Sequence, residues 1–250
     1  MRDIITEIWS TARRNKLRTT LTGFAVAWGI FMLIVLLGAG NGLINANLKQ
    51  NENWLSNSME VWGGRTSKPY QGLKEGRSIN LQTSDIAITE SQFTDNIDEV
   101  GASYSTSATI SNGEEYISAS IQGVYPIHTK INKREMLYGR FINDIDMRES
   151  RKVLVLSSKQ AKELEPKDYS RLLGKHVKVG DFAFKVVGIY KDREEGQSDA
   201  YSSYTAIKSI YGANTVDAGS IEFTFHGLPT EKANEDFEKE YRRRLNANHQ

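Results

Sequence analysis

Four histidines and two acidic clusters are the residues in this 250-residue chain whose types could move a proton or hold a metal. His128, His176, His226 and His249 stand far apart, and no two share the i, i+4 spacing that sets ligands on one helical face. Asp144, Asp146 and Glu149, and separately Asp192, Glu194, Glu195 and Asp199, lack the ligand order and central glycine of a calcium loop. The histidines therefore read as surface or strand-end residues and the acids as solvated loops. No catalytic residue, metal ligand or cofactor is expected. Without cysteine there is no thiolate zinc site, thiol nucleophile or disulfide. The sequences GxxxxGKS/T, GxSxG, HExxH and GxGxxG do not occur, so ATP is not expected to bind here.

The strongest physical signal is a change of solvent. Residues 19–48 carry no charge, and Leu21 to Leu43 contain neither charge nor proline. As a helix rising about 1.5 Å per residue, those 23 residues span about 35 Å, enough for a hydrocarbon core of about 30 Å. Lipid offers no partner for an unpaired backbone amide, so a helix is the form expected. A cleaved signal peptide is the alternative. Its apolar region would run only about 7–15 residues, and eighteen polar-rich residues precede this run. The span is marked by Leu21, Gly23, Phe24, Ala27, Gly29, Phe31, Leu36, Gly38 and Gly42. Its small residues recur at helical spacing (Gly23 with Ala27, Gly38 with Gly42), which lets a second helix approach.

Charge orients the span. Arg2, Arg13, Arg14, Lys16 and Arg18 precede it against only Asp3 and Glu7. Arg13, Arg14, Lys16 and Arg18 set the topology: basic flanks stay in the cytoplasm, so residues 49–250 face outward. Ile4, Ile5, Ile8 and Trp9 gather on one face of an amphipathic helix over residues 1–18, lying in the cytoplasmic interface of the bilayer or against another protein. Over the whole chain 32 basic residues balance 31 acidic ones, so no nucleic-acid partner is expected.

Residues 49–250 read as an α+β exported domain, one domain or two subdomains, with a mixed sheet, hairpins and short helices. Met59 to Trp62 is the first strand. Thr83 or Ser84 caps a short helix. Two β-rich runs flank Asn112-Gly113, the strongest hairpin signal. A short helix follows Pro126. Lys152 to Ser157 reads as a buried strand followed by a helix that Pro166 ends. Gly180-Asp181 bends a second hairpin with Phe182, Phe184 and Val186 on one face. Tyr204 to Tyr211 is helical, SIEFTFHG a strand, and Pro229 opens a charged helix to about Leu245. Arg242, Arg243 and Arg244 then sit at the helix end, where they suit its dipole.

The order of these elements resembles the amino-terminal part of an ATP-binding-cassette permease of the MacB/FtsX/LolC type, with its MacB-like periplasmic core domain. The residues that carry the likeness are Arg14-Asn15-Lys16-Leu17-Arg18-Thr19 with Leu21-Thr22, then Gly139-Arg140-Phe141 with Asp144, Val153 to Leu156, and Val186 to Asp192. The resemblance implies a bacterial inner-membrane subunit with four spans and the exported domain inserted after the first. It also implies a second permease subunit and an ATPase partner that carries the ATP. ATP hydrolysis would then move the exported domain, in efflux or in lipoprotein or peptide export. With one span, this chain is expected to be a fragment or a truncated reading frame. A single-span membrane-anchored sensor or binding module is the alternative.

Overall fold

The computed structural model describes residues 9, 14–67 except 53–56, then 69, 72, 74–193, 198–213, 215 and 217–249, with side chains omitted over 45–52. It divides into two compact units, Met1–Asn53 and Trp54–Gln250.

Among the described residues the first unit is dominated by α1 (Lys16–Glu52), 37 residues long. Within it, Lys16–Ile44 has a mean hydropathy of 2.3 and the length to cross a membrane. Polar side chains at its start are satisfied internally: the Thr22 hydroxyl donates to the Arg18 carbonyl at 2.8 Å, and Thr19 to Asn15 at 3.2 Å. That arrangement lets hydroxyls enter an apolar medium without unmet hydrogen bonds.

Among the described residues the second unit is built on nine strands. In chain order these are β1 (Ser58–Val61), α2 (Thr83–Gln92), β2 (Ile97–Asn112), β3 (Glu115–Val124), α3 (Ile127–Ile131), β4 (Met136–Gly139) and α4 (Asp144–Arg148). There follow β5 (Val153–Ser157), α5 (Ser158–Leu164), β6 (His176–Val179), β7 (Phe182–Tyr190), β8 (Ala200–Ser203), α6 (Tyr204–Tyr211), β9 (Ser220–Phe225) and α7 (Glu231–Asn248). The sheet runs β1-β9-β2-β3-β8-β5-β7-β4, and β6 pairs with both β2 and β7. The path β2-β3-β8-β5-β7-β6 therefore closes back on β2. Its weakest joint is β5–β8, a single pair of Val155 with Tyr201. Parallel pairs β3–β8 and β5–β7 sit among antiparallel ones, a mixed sheet as the α+β reading requires.

Period-2 alternation fills this ring. Ile110, Ile121, Leu154, Phe184 and Val186 are fully buried in one cluster, joined by Leu164 of α5 and Ile207 of α6. A second cluster lies where α2 and α7 cover β1, β9 and β2. There the rings of Phe93, Phe223, Phe237 and Tyr241 pack mostly edge-on or tilted, with centroids 5.1–6.3 Å apart. Tyr241 stays buried because its hydroxyl meets Thr89 at 2.8 Å.

Several local expectations shift. The first helix is capped from Gln82, not Thr83 or Ser84: Asp85 folds back and its Oδ2 accepts the Gln82 amide at 2.7 Å. Asn112 ends β2 instead of forming the bend, so the two-residue loop is Gly113-Glu114, with Gly113 at φ +66°. A positive φ at the first loop position belongs to the primed hairpin turns, which glycine accepts without strain. Phe182 is exposed beside the Lys152 ammonium, 5.0 Å from its ring, while Phe184 and Val186 are buried. Arg242, Arg243 and Arg244 do not end their helix, which continues to Asn248. They pair instead with Glu238 and Glu240 at 2.5–2.8 Å. β4 and β8 show no alternation in the sequence that would mark them as strands.

Candidate functional site

In the first unit, Ile4, Ile5, Ile8 and Arg13 lie outside the described residues. Trp9, Arg14, Lys16 and Arg18 are exposed. So is every residue singled out in the span: Leu36 is 72% and Phe24 65% accessible, and a Cβ added at Gly23, Gly29, Gly38 or Gly42 would meet nothing within 4 Å among the described residues. Phe24, Trp28 and Phe31 form one aromatic row, with centroids 6.0 and 5.6 Å apart. An apolar helix surface of this kind is suited to lipid or to other helices.

In the second unit, three stretches far apart in sequence come together. Val153 to Ser157 forms β5, which pairs in parallel with β7, and β7 pairs antiparallel with β4. Gly139 lies directly across from Gly188 in that register. A Cβ on Gly139 would collide with the Val187 carbonyl oxygen, and one on Gly188 with the Arg140 carbonyl oxygen. Gly139 also sits at φ +70°. The two glycines thus permit one close backbone crossing. Asp192, at the end of the same stretch, turns to α5, and its Oδ2 accepts from Lys159 N at 2.6 Å and Ser158 Oγ at 2.7 Å. Burial works against its charge, but these bonds and one from Ser198 outweigh it and lower its pKa.

Arg140 does not meet Asp144. It reaches past to Asp146 with two bonds, 2.6 and 3.1 Å, and these hold its pKa above the ordinary value. Asp146, expected to be solvated, is fully buried and also caps α4 by accepting the Asn143 amide at 3.1 Å. Of the second acidic cluster, Glu194 and Glu195 lie outside the described residues, and Asp199 accepts from Gln122 at 2.8 Å.

The histidine reading also needs correction. His128 is buried on α3, with Nδ1 2.9 Å from Glu222 Oε2. His249 reaches Asp85 at 2.8 Å with only 11% of its side chain exposed. Sequence spacing hid both, because the partners lie 94 and 164 residues away. The β9 alternation explains Glu222: Ile221, Phe223 and Phe225 face the helices, leaving Ser220, Glu222 and Thr224 on the reverse. Glu60 is the cross-strand partner of Glu222 and accepts from Ser220 Oγ at 2.9 Å, which in turn meets Ser103 Oγ at 2.8 Å. Beside them the Arg134 guanidinium lies over the rings of Tyr190 and Tyr201 and donates to the Tyr201 hydroxyl at 2.7 Å. Burial pushes both phenols up, so they stay neutral.

Burial, with Glu222 adding, raises the Glu60 pKa above its ordinary 4.5. The folded domain then holds this proton more tightly than the unfolded chain, so stability falls as pH rises from 4.5 through the raised value. Glu60→Gln keeps an acceptor for Ser220 without ionising. Thermal melts should place it above the unsubstituted protein at pH 7 and level with it below pH 4.5. Parallel curves across that range would remove Glu60 as the source.

Residues 19–237 match the family model of the MacB-like periplasmic core domain. The chain belongs to that family. It is 24% identical over 206 residues to "Macrolide export ATP-binding/permease protein MacB" of Shewanella oneidensis, covering 79% of this chain and 30% of the relative. It is 26% identical over 227 residues to "Uncharacterized ABC transporter permease YknZ" of Bacillus subtilis, covering 85% of this chain and 54% of the relative. The chain thus spans about a third to a half of these relatives. Its fold is that of the periplasmic region of MacB from Actinobacillus actinomycetemcomitans, with TM-score 0.65, 21% identity, and 81% and 88% of the two chains covered. The extracellular domain of YknZ gives 0.62 and 23%, covering 77% and 95%. The apolar helix and a periplasmic domain family together mark a membrane protein with an extracytoplasmic domain.

Proposed function

We propose that this chain is the amino-terminal part of an ABC transporter permease subunit, anchored by Lys16–Ile44 with its amino end in the cytoplasm. ATP hydrolysis on a separate ATPase chain moves the span, and the span moves the outer domain, in efflux or in peptide or lipoprotein export. A second permease subunit completes the unit. The observation that carries this reading is the family match running from the apolar helix through the exported domain. The names of the relatives, an export protein and a permease, support the transport class. The 250 residues hold no glycine-rich phosphate loop, which fits an ATPase carried elsewhere.

The chain purified into lipid should therefore hydrolyse no ATP above background. Crosslinking in native membranes, followed by affinity isolation, should recover an ATPase bearing GxxxxGKS/T. Recovery of a signalling kinase in its place would favour the sensor reading, and recovery of neither would contradict coupling.

A further inference from the structure

The exported domain also carries a groove of about 580 Å³ that the transport reading does not use. Such a volume is typical of ligand sites. One wall is the continuous backbone from Met59 to Arg65. The other is a single face of α7 and its C-cap, made by Glu238, Tyr241, Arg242, Leu245, Asn246 and the capping His249, at positions i, i+3, i+4, i+7, i+8 and i+11.

The strand wall is a sheet edge. Among the described residues β1 pairs with β9 alone. The Phe225 amide donates to the Asn57 carbonyl at 2.9 Å, and this sets the phase of the ladder. Alternate residues of an antiparallel pair exchange hydrogen bonds, so Met59 and Val61 turn their backbone groups to Phe223 and Ile221. Glu60 turns its N–H and C=O to the open edge. Past Trp62 that edge is occupied, because the Ile79 amide donates to the Gly64 carbonyl at 2.8 Å and Arg65 bridges Ser78. Charge at this end is unbalanced. Arg242 is answered by Glu238 at 2.5 Å, whereas exposed Arg65 makes no ion pair among the described residues.

We propose that this groove takes an extended acidic peptide segment as an added strand on β1. The Glu60 backbone pairs with the peptide, a carboxylate of the peptide meets Arg65, and apolar side chains at alternating positions meet Trp62 and the α7 wall. An edge strand facing a helix supplies both parts of such recognition, main-chain bonds for affinity and a side-chain wall for selectivity. A lipid or drug-like amphiphile would use the apolar wall without needing the Glu60 amide, and this difference is testable.

The test uses the full chain in phosphatidylcholine nanodiscs and a fluorescein-labelled octapeptide that alternates valine and serine, with aspartate at one end. Fluorescence anisotropy should show saturable binding. Methylating the backbone nitrogens on the pairing edge should weaken it about tenfold, the value of one or two lost hydrogen bonds. Replacing aspartate by lysine should also weaken it, and Arg65→Glu should reverse that preference. Glu60→Pro should abolish binding while leaving the β1–β9 ladder intact, since its amide faces away from β9. A thermal melt confirms that this variant is folded. Equal binding of the methylated peptide would overturn the proposal in favour of an apolar ligand. An acid preference unaltered by Arg65→Glu, or no saturable binding, would overturn it outright.

Discussion

Gly188→Ala should lower the melting temperature of the exported domain by about 6–12 °C. The added methyl has no free volume to enter: it faces the Arg140 carbonyl oxygen, with the Met136 side chain close behind. The backbone oxygen belongs to the residue after β4, held by the Arg140 amide bond to Val187 O at 2.9 Å and by the Asp146 ion pair. Neither strand can yield without breaking the β4–β7 ladder. A forced overpacking of this kind costs about 3 kcal/mol. For a domain near 200 residues that is roughly 2–4 °C per kcal/mol. Gly64→Ala is the control, because among the described residues nothing stands within 4 Å of its added methyl and no positive φ is involved. It should melt within a degree or two of the parent. Equal melting of the two variants would show that the crossing is looser than described.

This pair also shows how far the sequence could be read. Gly139-Arg140-Phe141 and Val186 to Asp192 stood out as stretches resembling a permease family, but nothing in either showed why glycine was needed. The reason is a cross-strand contact between residues 49 positions apart. Strands with clear alternation or a turn signal, such as those around Asn112-Gly113 and Gly180-Asp181, were legible because their information is local. β4 and β8 carried neither alternation nor a turn signal of their own, unlike the equally short β1 and β6. The buried partners Glu222–His128, Asp146–Arg140 and Asp85–His249 were illegible for the same reason. A charged residue paired in the core looks, in sequence, like one on the surface. The apolar helix was the most legible element of all, since composition alone defines it.

Asp85→Ala should cost the domain about 3 kcal/mol and release the end of α7. Asp85 is fully buried and its oxygens accept from three donors: the Gln82 amide at 2.7 Å, Asn248 Nδ2 at 2.7 Å and His249 Nε2 at 2.8 Å. Truncation leaves these donors without the buried carboxylate that gathers them, and removing one partner of such a set is expensive. It also removes the carboxylate from the first turn of α2. Amide hydrogen exchange should show protection lost over the last turns of α7 and the first turn of α2, with the β5–β7–β4 strands unaffected. Asp85→Asn, which keeps one acceptor oxygen, should recover part of the loss. Uniform loss of protection across the sheet would mean that Asp85 supports the whole domain instead of this one tie.

The central claim is that Lys16–Ile44 crosses a membrane and leaves residues after it outside. The chain contains no cysteine, so a single introduced thiol reports its own side of the membrane. Glu114→Cys places one at the exposed tip of the β2–β3 hairpin, and Trp9→Cys places one ahead of the span. In intact cells whose outer layers admit the reagent, a membrane-impermeant maleimide should label Glu114→Cys fully and leave Trp9→Cys unlabelled until the membrane is opened. Labelling of both thiols without opening the membrane, or of Trp9→Cys alone, would contradict the account.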